Sequence, residues 1–205
     1  MKWIIVLILL AALGVVLYML FKPKKNPETP VEDLADLTPM DARKGDTVSI
    51  LAMGDDYDDL DFTVDRVNRY DADGDESKEL SGVYRGARVF LEVWDDDGLE
   101  VRLCRDSDEI AFNALGLGEP DLIRLDETQD TSIEIAHDGA RYRFDESGEV
   151  VCYEDGDREG EGYYTWTFVE VEGDRELYIE KWEGEAFEAS LGRVIRPGDC
   201  RVFRG

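Results

Sequence analysis

Short runs in which apolar and polar residues alternate fill most of the chain after residue 45, and acidic, glycine-containing turns separate them. Such alternation is typical of strands with one buried face, and Gly or Asp-Gly reverses the chain between strands. The clearest examples are ARVFLEVW, LEVRLCR, ARYRFDE and RELYIEKW. No convincing helix longer than two turns is evident; the one candidate, DEIAFNALGLG, also fits a strand with a glycine-rich exit. The sequence therefore predicts an acidic all-β body over residues 45–205, either a sandwich or a partly open barrel.

One sequence segment of this body occurs twice, in two similar copies. EVWDDDGLEVRL begins at Glu92 and EKWEGEAFEASL begins at Glu180, an offset of 88 residues. At this offset Trp94 matches Trp182 and Leu103 matches Leu191, without a gap. The repetition predicts two related antiparallel β units, near residues 46–118 and 130–205.

Each copy fits a β-hairpin whose packing explains most of the repetition. In the first copy, three apolar residues before the turn share one face and three after it form a matching row: Val89, Leu91, Val93, Leu99, Val101 and Leu103. Trp94 and Trp182 lie beside the turns, where a wide ring covers a neighbouring strand.

Acidic and indole side chains have the same spacing in the two copies, which also suggests a binding site. Glu92 and Glu180 are expected on the same strand face as the indole rings. Glu100 and Glu188 begin the return strands, on the face opposite the apolar row. Each unit thus predicts a carboxylate–indole–carboxylate surface: Glu92, Trp94 and Glu100 in the first, and Glu180, Trp182 and Glu188 in the second. Such a surface attracts ammonium groups by charge and by cation–π contact, so we expect it to suit a small cationic molecule such as a polyamine.

An apolar run precedes the body. Residues 3–21 read WIIVLILLAALGVVLYMLF, about 28 Å as a helix, which is enough to cross a bilayer core. No small-residue cleavage site follows, so we expect a single-pass transmembrane helix, retained as an anchor over residues 1–21. A proline-rich tether over residues 22–44 would follow. The lysines after the run outnumber the one before it, which places the body on the cytoplasmic side of the cell (inner) membrane.

The charge of the chain excludes one class of partner. Acidic residues number 49 against 23 Lys and Arg, a formal net charge of -26, and four of the lysines precede residue 26. Nucleic acid is therefore not expected as a partner, because phosphate contacts need Lys and Arg. The acidity suits solvation in a salty cytoplasm, and it also suits a specific cationic partner.

Metal chemistry finds little support. DADGDESKELSG, from Asp71, has the alternating acids of a calcium loop, but Glu76 and Gly82 stand where that loop needs Gly and Glu. We interpret the segment as an acidic hairpin turn. We expect no metal-binding and no cofactor-binding residues.

Nucleophilic catalysis is equally unsupported. His137 is the one histidine, and it stands in a turn context without a nucleophile elbow nearby. Cys104, Cys152 and Cys200 are odd in number and lack zinc-ligand spacing, so we expect buried free thiols. The acids are too many for a catalytic pair to be picked out, and we predict no catalytic residue.

The segment HDGARYRFDESGEVVCYEDGD, followed by YYTWTFVEVEGDRELYIEKWEGEAFEASLGRVI, resembles an uncharacterised bacterial domain-of-unknown-function family, the one numbered 4178. The resemblance is clearest across residues 137–195, in ELYIEKWEGEAFEASLGRVI and the preceding G-x-x-Y-R-F/L-x-x-S-G pattern. It implies a small β domain of bacterial proteins, with no activity, cofactor or catalytic residue to carry over.

Three functions are compatible with these features. The first is a membrane-tethered, non-catalytic interaction or scaffolding protein, which predicts an exposed apolar surface for a protein partner. The second is a binder or sensor of a small cationic ligand, which predicts a concave site near Trp94 or Trp182. The third is an enzyme with an unidentified carboxylate site, which predicts converging carboxylates with perturbed pKa values.

Overall fold

Strands dominate the computed structural model, which describes residues 37–95 and 98–205. This part holds twelve strands and one α-helix, α1 (Glu119–Thr128). The strands are β1 (Thr47–Ile50), β2 (Leu60–Thr63), β3 (Arg66–Ala72), β4 (Asp75–Tyr84), β5 (Ala87–Asp95), β6 (Leu99–Ile110), β7 (Glu134–His137), β8 (Ala140–Tyr153), β9 (Glu161–Glu170), β10 (Arg175–Trp182), β11 (Phe187–Ile195) and β12 (Cys200–Phe203).

Eight of the strands form a closed antiparallel barrel in the order β3-β4-β5-β6-β11-β10-β9-β8, and pairing of β3 with β8 closes it. Each half is a run of consecutive strands, β3 to β6 and then β8 to β11, and the halves also meet where β6 pairs with β11. Closure satisfies the backbone donors and acceptors that the edge of an open sheet would leave unpaired.

The closing seam is short. β3 pairs with the end of β8 through three residue pairs, Arg69 with Tyr153, Tyr70 with Cys152, and Asp71 with Val151. The first part of the same edge of β8 pairs with β7 instead. A separate three-stranded sheet, in the order β12-β1-β2, joins the two ends of the described body.

The apolar cores lie outside the barrel wall. The first is between the three-stranded sheet and the outer faces of β4, β5 and β6, and includes Val48, Phe62, Leu80, Leu91 and Val101. At this contact, a Cβ atom on Gly82 would come within 2.3 Å of the Thr63 carbonyl oxygen, so the close approach requires glycine.

A second core lies on the opposite half of the barrel. Helix α1 buries Leu122 and Leu125 against the outer faces of β8, β9 and β10. The indole Nε1 of Trp166 donates to the Leu122 carbonyl oxygen at 3.0 Å and fixes the helix on the sheet. Side chains alternate between the two faces of a strand. Because these apolar residues point outward, many of the residues between them, several of which are polar, point into the barrel.

The expected fold class, a sandwich or partly open barrel of two β units behind a transmembrane helix, is wrong. The body is all-β, but its two halves form one closed eight-stranded antiparallel barrel, because β6 pairs with β11 and β3 pairs with β8. Each half presents its apolar face outward, against an added sheet or helix, rather than against the other half.

Helix α1 is a further correction, because no helix longer than two turns was expected. It lies in EPDLIRLDET, where Asp121 caps the start by accepting from the Gly118 backbone N–H at 3.0 Å. The segment DEIAFNALGLG, the candidate helix, contains the end of β6 and a 3-10 turn over Phe112–Leu115.

No helix within residues 37–95 and 98–205 is both long and apolar enough to cross a membrane. The predicted anchor over residues 1–21 and most of the predicted tether over residues 22–44 lie outside the described residues. The described end of that tether packs on the barrel: Ala42 is fully buried in the first core, and Lys78 Nζ donates to the Met40 and Ala42 carbonyls.

Candidate functional site

A partly open cavity of about 760 Å³ lies within the barrel. Inward-facing side chains of the eight barrel strands form its wall, and the segment after β6, with Ala111 and Phe112, contributes to its lining. The same alternation that turns Val89, Leu91 and Val93 outward turns the residues between them inward.

Acidic groups outnumber basic groups in this lining. Two basic residues contribute to the lining: Arg102, and Arg105, whose guanidinium group donates to the Met53 backbone carbonyl. Eight carboxyl groups share the wall with them: Asp75, Glu79, Glu92, Asp106, Glu109, Glu146, Glu180 and Glu188. Five of the eight are exposed, and Glu79, Glu92 and Glu180 are not. A charge imbalance among these three less exposed groups is electrostatically costly and favours the uptake of protons or of cations.

The structure brings four of the six predicted site residues to the cavity: Glu92, Glu180, Trp182 and Glu188. The second-unit set is thus complete, whereas the first-unit set is divided. The Trp94 ring lies beside Arg102, and Glu100 lines a second depression of about 500 Å³ at the Leu99 end of β6. The second expected surface therefore lines the cavity, whereas the first is divided between the cavity and the second depression.

Arg102 is a central residue that the sequence interpretation missed. Its Nη1 lies 2.8 Å from Glu92 Oε2, and its Nε lies 2.9 Å from Glu176 Oε2. Its guanidinium carbon is 3.8 Å from the ring centre of Tyr178 and 4.9 Å from that of Trp94. Burial opposes the charge of Arg102, but Glu92, Tyr178 and Glu176 outweigh that effect and raise its pKa.

Glu79 is the second missed residue, on β4 directly opposite Glu92. Asn68 Nδ2 and Tyr70 OH each donate to a different carboxyl oxygen of Glu79, both at 3.0 Å. Burial, and then the charge of Glu92, raise the pKa of Glu79 to about 7, against the lowering effect of these hydrogen bonds. Its side chain could have been placed inside by the alternation along β4, since Leu80 points outward.

Glu180 lies in the second half with an aromatic neighbour. Trp182 Nε1 donates to Glu180 Oε2 at 3.2 Å, and the Trp182 ring stacks on Tyr163 with centroids 4.3 Å apart. Burial raises the pKa of Glu180, the Trp182 hydrogen bond opposes the rise, and the charges of Glu92 and Glu188 add to it. The interior therefore offers carboxylates and ring faces together.

Other reactive side chains are less informative. Cys104 lines the cavity as a free thiol, and burial raises its pKa to about 12. His137 ends β7 and does not line the cavity. Within residues 37–95 and 98–205, no group of three or more His, Cys, Asp or Glu residues could hold a metal ion.

Fold and cavity together define a class: a closed antiparallel β-barrel with an acidic, aromatic interior. A family model, domain of unknown function (DUF4178), matches residues 54–197, which include all eight barrel strands. The chain belongs to this family, as the resemblance over residues 137–195 predicted. No curated protein and no solved structure matches the chain.

Proposed function

We propose that the barrel interior binds a small organic cation and that the protein is a non-catalytic binding module. The observation that supports this proposal is the cavity, whose lining holds eight acidic and two basic residues and includes the less exposed Glu79, Glu92 and Glu180. Its volume of about 760 Å³ falls in the usual range for small-molecule sites.

Electrostatics indicate why a cation would be favoured. Glu79 and Glu180 have raised pKa values because burial and neighbouring carboxylates penalise their charged forms. A bound cation would offset that penalty and allow both groups to ionise. The stacked rings of Tyr163 and Trp182 add a surface suited to cation–π contact.

The scaffolding interpretation has less support. It predicts a large exposed apolar surface, and the exposed large apolar side chains in the described residues are few: Leu51, Tyr57, Val83, Ile123, Val194 and Phe203. The cavity therefore favours ligand binding over scaffolding as the primary role.

Attachment to the cell membrane is a separate part of the proposal and rests on sequence alone. The apolar run of residues 3–21 supports it, and the lysines that follow support a cytoplasmic body. A binding module attached in this way could pass ligand occupancy to a protein partner at the membrane.

One observation favours an enzyme as a second candidate. The pKa of Glu79 is raised to about 7, and a carboxyl group with such a pKa can serve as a general acid or base near neutral pH. Mass spectrometry of a bound cation after incubation with the protein would reveal turnover, which the binding proposal does not predict.

Thermal unfolding tests the binding proposal. The full chain, in a non-ionic detergent, is heated in NaCl, CaCl₂ and spermidine at matched ionic strength. We expect micromolar spermidine to raise Tm by several degrees where NaCl does not, because selective binding stabilises the native state. Equal effects of all salts, seen only at high concentration, would overturn the proposal.

A matched pair of variants locates the effect. Glu180→Gln removes a carboxylate that faces the cavity, whereas Glu127→Gln removes an exposed one on α1. We expect the first to abolish most of the spermidine-induced shift and the second to preserve it. Equal loss in both would indicate a diffuse surface effect and would count against an interior site.

A further inference from the structure

The two halves of the barrel differ in the residue that lies across the hairpin from the repeated glutamate. In hairpin β5–β6, Glu92 lies directly across the ladder from Arg102. In the corresponding hairpin β10–β11, Glu180 lies directly across from Glu188. The first half thus supplies its own cation to the repeated glutamate, and the second half places a carboxylate there instead.

Arg102 shows how this interior holds a guanidinium group. Two carboxylates bind it from the edge, Glu92 at 2.8 Å and Glu176 at 2.9 Å. The Tyr178 ring lies 3.8 Å from its centre, within range for cation–π contact. Its side chain is 15% exposed, so these contacts replace most of its hydration.

The second half holds matching components but supplies no basic residue across the hairpin from its glutamate. Glu180 and Trp182 repeat Glu92 and Trp94, Glu188 supplies a second carboxylate, and Tyr163 backs the indole ring. In the part of the chain that the structure describes, no ion pair joins Glu180 or Glu188 to a Lys or Arg, although the charge of Arg102 acts on Glu180 and opposes the rise of its pKa. Like charges directly opposite on adjacent strands are destabilising unless a counter-ion separates them.

We propose that Glu180, Glu188 and the Trp182 ring bind the guanidinium group of a small ligand, in the way that Glu92, Glu176 and the Tyr178 ring bind Arg102. This inference rests on the proposed cation-binding function and names its ligand class. A planar guanidinium group binds carboxylates through two parallel hydrogen bonds and stacks on an aromatic face, which a tetrahedral ammonium group cannot do.

The test compares two probes of equal charge and chain length, butylguanidinium and butylammonium chloride. Each is titrated into the full chain at constant ionic strength and low millimolar concentration, with calorimetric detection. We expect butylguanidinium to bind about tenfold more tightly, because stacking and paired hydrogen bonds favour it.

Three variants assign the site. Trp182→Leu should weaken butylguanidinium binding by about tenfold through loss of the ring face, whereas the matched Trp94→Leu should preserve it within about twofold. Glu188→Gln changes an exposed position, so it should fold normally and weaken binding by about fivefold through loss of a charged acceptor. Circular dichroism verifies folding of each variant.

The outcomes separate this inference from the broader proposal. Equal affinity for the two probes, with both lost in Glu180→Gln, would overturn guanidinium selectivity and retain cation binding in the cavity. A guanidinium preference unaffected by Trp182→Leu and Glu188→Gln would place the group elsewhere and overturn the assigned site. Binding of neither probe above the ionic-strength control would count against both proposals.

Discussion

Glu79 on β4 lies directly across the ladder from Glu92 on β5, and both carboxyl groups face the barrel interior. Arg102 binds Glu92 but forms no ion pair with Glu79, within the residues that the structure describes. Glu79 is held instead by neutral donors, Asn68 and Tyr70. A carboxyl group in this position therefore keeps its proton to a higher pH than an exposed carboxyl group does, and burial raises its pKa to about 7.

We predict that the empty protein becomes less stable between pH 5 and pH 8. The pKa of Glu79 rises from 4.5 to about 7 on folding, so its stabilising contribution is complete below pH 4.5 and is lost as pH rises through 7. The loss should approach about 3 kcal/mol, from 1.36 kcal/mol per pKa unit. Urea unfolding at the two pH values measures it.

The control for this titration is Glu79→Gln, which keeps a neutral acceptor for Tyr70 and Asn68. Its free energy of unfolding should change less with pH than that of the natural protein, by about the same 3 kcal/mol. Parallel pH profiles for the two proteins would show that Glu79 titrates normally.

We predict that Arg102→Met destabilises the barrel by about 3–5 kcal/mol, because it leaves Glu92 and Glu176 partly buried without their cation. Arg124→Met is the matched control. Arg124 pairs with Asp121 on the surface of α1 with its side chain 64% exposed, and it should cost less than about 1 kcal/mol. Urea is the proper denaturant, since guanidinium could itself occupy the vacated position. Comparable costs for the two changes would refute the structural role of Arg102.

The three thiols should resist alkylation in the folded protein. Burial raises the pKa of Cys104 and Cys200 to about 12 and that of Cys152 to about 11, so almost no thiolate exists at pH 8. Mass spectrometry after iodoacetamide treatment should find no adduct in buffer and three in urea. Rapid labelling of any one thiol in buffer would contradict its placement.

Trp166→Phe should loosen α1 from the barrel. The change removes the hydrogen bond to the Leu122 carbonyl at 3.0 Å, at a position only 6% exposed, and should cost about 1–3 kcal/mol. Hydrogen exchange of the α1 amides should accelerate more than that of the distant strands β1 and β2. Uniform acceleration across all of these elements would indicate general destabilisation instead.

The strands were predictable because their alternation is local, but the closure of the barrel was not. The β3–β8 seam consists of three residue pairs between Arg69–Asp71 and Val151–Tyr153, a long-range pairing that no local pattern specifies. Alternation separates the two faces of a strand, but it does not tell which face meets a core and which lines a cavity. Helix α1 was not predicted because only two of its ten residues, Leu122 and Leu125, are buried, which is too few for a clear helical pattern of apolar residues.

Only those residues of the candidate site that belong to the internal repeat could be predicted from the sequence. Glu180, Trp182 and Glu188 were identified because their spacing matches an earlier line of sequence, and they line one cavity. Arg102 was missed because its counterpart in the ungapped alignment is Ser190, so it breaks the repeat. At this position the first half places a positive charge in the interior, and the second half places a neutral residue.

Proton release on cation binding tests the central claim most directly. The full chain is titrated with spermidine at pH 7 by calorimetry in PIPES and in HEPES, which differ in ionisation enthalpy. Glu79, with a pKa of about 7, is half protonated there, so an interior cation that lowers this pKa should release up to about half a proton. Glu79→Gln should reduce the release. Binding without proton release, or heats no larger than those of NaCl at equal ionic strength, would contradict cation binding inside the barrel.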